Sequence, residues 1–169
     1  MSKKALKEFV AQLPKKELEI QLLDLYERFS LVKEYYDFIF NPKEDKLIQE
    51  AKIKISNEYF PLRRKKARMR RSIAQNYIKH YLKLGVETNL VADLMLFNIE
   101  IAQSFSKEKK VAETFYKSML NSFDQGVIFI SQNNILPDFK NRIVTIFQNV
   151  EEQEWPNLED FSRVLDKIE

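Results

Sequence analysis

Two glycines in 169 residues leave this chain few ways to turn tightly. Glycine is the residue that enters left-handed backbone without steric cost. A sheet fold rich in hairpins is therefore disfavoured, and so is a glycine-rich loop wrapped around a phosphate. Prolines number five and cysteines none. The lack of cysteine excludes disulfides, thiol nucleophiles and cysteine zinc sites. What remains is apolar content of 44%, enough to offset chain entropy and fill a core.

Helical periodicity fills the space the glycines leave. Leu6, Phe9, Val10 and Leu13 follow an i, i+3, i+4, i+7 pattern behind Ser2, a candidate N-cap. Leu18, Leu22, Leu25, Tyr26 and Phe29 form a second stripe after Pro14, and Ser30 restarts a short aromatic helix, "LVKEYYDFIF". In "NPKE" at 41–44, Asn41 is placed to cap, Pro42 to open the next helix and Glu44 to complete a capping-box pair. That helix is expected to end near Glu58, before Pro61. "SIAQNYIKHYLKLG" is amphipathic, with Gly85 as its stop. "NLVADLMLFNIEIAQSF" is apolar on most of its circumference, which marks it as the central helix. A long helix from about Lys109 to Asn134 follows, with Gly126 as a kink or a close crossing, then one opened by Pro137 and a short terminal one. The expected fold is all-α: a single irregular domain over residues 1–169 with about seven to nine helices, a superhelical arrangement being compatible with it. No segment is apolar enough to span a bilayer and no secretory signal precedes the helices, so the expected location is the cytoplasm.

Charge is concentrated in one place. In "PLRRKKARMRR", residues 61–71, seven of the nine positions from Arg63 to Arg71 are basic. Without those seven, 21 basic residues remain of the 28, against 25 acids. The cations Arg63, Arg64, Lys65, Lys66, Arg68, Arg70 and Arg71 would ring the axis of a helix continued backwards from Leu84. No core accepts unpaired guanidinium groups, so the segment must project beyond the core or be irregular. Phosphates match the arginine fork, and their capture releases counterions. The segment therefore reads as a sequence-neutral nucleic-acid contact, with Lys79 and Lys83, one helical turn apart, extending the track. Two other readings compete. The segment can be a solvated loop, or it can dock on the acidic stretch holding Glu151, Glu152, Glu154, Glu159 and Asp160, in the same chain or another copy.

Other candidate chemistry is thin. His80, the one histidine, has no recognisable nucleophile or orienting acid and reads as structural. Asp93 and Glu100, seven apart, face one way. A shared metal is conceivable, but the Glu-x-x-His pairs of helical di-iron sites are missing, so pairing with an arginine is favoured. "YYDFIF" could stack on bases, but Tyr35, Phe38 and Ile39 at helical spacing read as core. Asn98, amid apolar residues, is expected to specify a helix contact. No Walker loop, Rossmann fingerprint or nucleophile elbow occurs, so no cofactor is implied and an enzyme is disfavoured.

Three stretches, "LDLYERFSLVKEYYDFIFNP" (23–42), "KISNEYFP" (54–61) and "GVETNLVADLMLFNIEIAQSFS" (85–106), resemble a family of uncharacterised bacterial all-helical proteins. The resemblance implies an intracellular bacterial protein and carries no catalytic residue with it. The expectation is a non-catalytic helical protein that binds polyanions, nucleic acid first, through residues 63–71. The alternative is a protein-interaction or self-association module whose basic segment meets an acidic surface.

Overall fold

The computed structural model describes residues 2–63 and 66–168. Among them are nine α-helices and no strand. The chain divides into two compact units, one ending at Lys43 and one starting at Glu44. No helix among the described residues is long and apolar enough to cross a membrane.

The N-terminal unit holds α1 (Lys3–Gln12), α2 (Lys15–Arg28) and α3 (Ser30–Phe40). The Ser2 hydroxyl accepts the Ala5 N–H at 3.4 Å, as an N-cap should. Leu13 and Pro14, both extended, separate α1 from α2. Helices α2 and α3 pack on one another, and the Tyr26 hydroxyl donates to Asp37 at 2.6 Å. Asn41 does not open the next helix as its sequence context suggests. It ends α3, donating its N–H to the Asp37 carbonyl at 3.0 Å. None of the described residues of this unit is buried. Tyr35 and Ile39, expected in a core, are exposed, and Phe38 is only half-buried. The stripes have the helical period, but burying a stripe takes a facing surface that period cannot supply.

The second unit contains the core. It runs through α4 (Glu44–Tyr59), α5 (Arg71–Leu84), α6 (Thr88–Glu108), α7 (Glu113–Gln132), α8 (Leu136–Glu152) and α9 (Leu158–Leu165). Helix α6 is the centre, packed by α4, α5, α7 and α8, with Val91, Ala92, Leu94, Leu96 and Ile99 fully enclosed. Gly126 of α7 faces it closely: a Cβ there would lie 3.5 Å from Leu96 Cδ2 and 3.8 Å from the Met95 Cβ. Gly126 thus marks a helix crossing. Gly85 ends α5 at φ +84°, its N–H returning to the Tyr81 carbonyl at 3.1 Å. Lys109 closes α6 and does not open α7, which starts only at Glu113.

One polar knot ties three of these helices. Arg142 of α8 reaches Asp93 at 2.6 Å through one nitrogen. It also forks onto Glu100 at 2.6 and 2.7 Å. Lys52 of α4 meets the other Asp93 oxygen at 2.6 Å. The two carboxylates of α6 thus share an arginine, the pairing their spacing suggested. Burial by itself would raise the Asp93 carboxyl, but the hydrogen bonds from Lys52 and Arg142 outweigh it and hold Asp93 below its ordinary value.

Candidate anion-binding site at the basic loop

Residues 60–70 form no helix where described. The chain leaves α4 after Tyr59 and comes straight back to its last turn. The Glu58 carbonyl accepts the N–H groups of Arg68 at 2.9 Å and Met69 at 3.0 Å. The Glu58 carboxylate takes the Arg70 guanidinium in a two-point fork, 2.9 Å to each oxygen. Met69 sits at φ +51°, left-handed backbone that a Cβ-bearing residue adopts under strain. The buried acid Glu58 therefore folds a basic loop back onto the protein, and the bonds to it hold the strained turn.

The segment divides accordingly. Arg70 is committed to Glu58, which keeps its guanidinium above the usual value. Arg71, the first residue of α5, points into the fold. Its Nε donates to the Ser122 hydroxyl and its terminal nitrogen to the Gln125 carbonyl oxygen, each at 2.9 Å. Both partners are neutral, and burial lowers the Arg71 guanidinium. Neither arginine is a free cation: exposed Arg70 is paired with Glu58 at the end of the preceding helix, and Arg71 is bonded to a helix remote in sequence. Arg63, Lys66 and Arg68 are exposed, and none forms an ion pair with a described carboxylate. Arg64 and Lys65 lie outside the described residues. Lys79 and Lys83 are exposed on α5, on a stretch that does not border the groove described next. None of the described basic residues of the segment pairs with the acidic stretch 151–160, where Asp160 instead holds Arg163 at 2.9 Å.

A groove of about 680 Å³ opens between this loop and the end of α6. Phe60, Leu62 and Met69 line it from the loop, Phe105 from α6. Phe60 meets Phe105 edge-on, with ring centroids 5.7 Å apart, and keeps 39% of its surface exposed. Lys66 stands on one side. On the other stand Lys109 and Lys110, beside Glu108, the last residue of α6. Sequence reasoning missed these last two lysines. They lie some forty positions from the basic segment, in the run "KEKK" (107–110), where they also suit a helix C-terminus. That run was the visible signal. Tyr59, beneath the groove, is buried with a hydroxyl that has no hydrogen-bond partner among the described residues. Burial drives that phenol well above its ordinary value.

The remaining candidates lie away from this groove. His80 is half-buried with its ring centroid 5.8 Å from that of Tyr81. Asn98 is buried on α6, and its amide nitrogen has no partner among the described residues, so the helix contact expected of it is not formed by that donor. Among the described residues, no group of three or more His, Cys, Asp or Glu side chains could hold a metal. A family model matches the chain over residues 1–169. No curated protein and no solved structure matches it.

Proposed function

Because the chain belongs to DUF6155, a family of unknown function, membership brings no activity with it, and we propose from the site alone that the protein is a non-catalytic binder of polyanions. The favoured ligand is single-stranded nucleic acid. The observation that carries this reading is the meeting of two basic stretches distant in sequence. Lys66 from the loop and Lys109 and Lys110 from the end of α6 border one groove with an exposed aromatic ring. Backbone phosphates suit the lysines, and bases stack on an aromatic side chain at roughly 1–3 kcal/mol each. Arg63 and Arg68 stand on the same loop as further phosphate partners. Such contacts fix position without reading sequence. A bacterial cytoplasm, where single strands are plentiful, fits this reading.

The test is binding of the full chain to mixed-sequence single-stranded DNA and RNA over a salt series. Affinity is expected to fall with salt, at roughly 0.7 log units per log unit for each phosphate neutralised. Changing Lys66, Lys109 and Lys110 to Ser should flatten that slope by about two. Phe60→Ala should weaken binding at every salt concentration with the slope intact. Absence of binding at low salt, or a triple variant that behaves like the parent, would end the proposal.

A further inference from the structure

The N-terminal unit poses a different problem: three helices with apolar stripes and no buried residue. Leu6 is 61% exposed, Leu31 72% and Phe40 80%. Soluble chains seldom leave so many large side chains in water unless a partner covers them.

We propose that this unit is completed by a second copy of the same chain. Helix α1 of each copy lies in the groove between α2 and α3 of the other. The groove is there: a cleft of about 260 Å³ lined by Leu22, Leu23, Tyr26, Tyr36 and Phe40. Its one committed polar group, the Tyr26 hydroxyl, already donates to Asp37. The ligand is there as well. Leu6, Phe9 and Val10 stand exposed at i, i+3 and i+4 on α1, the spacing by which an amphipathic helix anchors in an apolar groove.

Charge points the same way. Helix α1 carries three lysines to one glutamate. Helix α2 carries four acids to three bases, and α3 two acids to one base. A basic helix therefore meets a pair of acidic ones, which favours this register over α1 packing on α1. The link explains why α1 does not use its own groove. Leu13 and Pro14 are both extended, at φ/ψ of −82°/132° and −65°/153°. Proline fixes one of these angles. A stiff two-residue connection resists folding back within one chain and favours exchange between copies.

Sedimentation velocity of the full chain across a hundredfold concentration range tests the proposal. The parent is expected to form a dimer that dissociates on dilution. Leu6→Asp with Phe9→Asp, on α1, should yield monomer, and so should Leu23→Asp in the groove. Because none of these residues is buried, far-UV circular dichroism and the main unfolding transition should stay unchanged. The chain has no native cysteine, so Phe9→Cys in one tagged copy and Leu23→Cys in another should oxidise to a disulfide between copies. A parent monomeric at every concentration overturns the proposal, as does a dimer indifferent to the α1 variants. A monomeric parent that pellets with vesicles of anionic lipid overturns it in favour of a membrane surface. Single-strand binding by the monomeric variants, measured in the salt series above, keeps the two proposals separable.

Discussion

Glu58 shows how much one side chain decides about the basic loop. It is buried at the end of α4, yet its carboxylate and carbonyl together hold Arg68, Met69 and Arg70. A carboxylate that takes both nitrogens of a guanidinium orients as well as neutralises. Glu58→Gln removes the charge and one of the two acceptors, and it loosens the hold on Arg70. The variant is expected to be cut faster by trypsin within residues 63–71. It should also bind single strands with a salt slope steeper by roughly 0.7, the weight of one added phosphate contact. Trypsin cleavage at the parent rate would show that the loop is held by something other than Glu58. In the sequence, Glu58 looked like an ordinary helix-end residue. Its neighbours Ile55 and Tyr59 hinted that this end of α4 is enclosed, but only the folded chain shows which cation it meets.

At the scale of elements, the Arg142 knot does what apolar packing does elsewhere. It joins α4, α6 and α8 through Lys52, Asp93, Glu100 and Arg142. Asp93 is held below its ordinary value in the folded chain. Its contribution to stability is therefore present above the unfolded carboxylate range, near pH ~4, and is lost as pH falls through the lower folded value. Asp93→Asn is expected to lower stability at pH 7 by roughly 1.5–3 kcal/mol, the range for hydrogen bonds to charged groups. That difference from the parent should shrink as pH drops toward 2. Denaturant unfolding at stepped pH checks both statements, and a difference constant with pH would remove Asp93 from the acid response. The helices themselves were largely readable. Ser2, Pro61 and Gly85 mark boundaries by local chemistry, and α4 and α5 end where they should. Asn41 failed as a start signal because an asparagine between two helices can close one as readily as cap the next.

Over the whole molecule, burial is uneven. Helix α6 is walled in on several sides, while no described residue of the unit ending at Lys43 is more than half-buried. Amides open at a cost set by the contacts that must break. Hydrogen exchange of dilute protein should therefore show α6 protected longest and residues 2–43 exchanging orders of magnitude faster. Raising the protein concentration should slow exchange in α1, α2 and α3 alone if a second copy covers them. Uniform protection across both units would contradict this division of the core.

Local chemistry settled the all-α architecture, most helix boundaries and the identity of the central helix. Glycine scarcity, apolar period and caps act within a few residues, and such signals survive in a linear string. Tertiary structure alone decided which cations stay outside. Arg70, still exposed, is neutralised by Glu58, Arg71 is engaged by Ser122 and Gln125, and Lys109 and Lys110 were brought to the groove. Each of those outcomes depends on a partner many positions away, and spacing along a chain does not encode which distant groups will meet. The same reason separates an apolar stripe from a buried one: the stripe belongs to its helix, and burial belongs to whatever lies opposite.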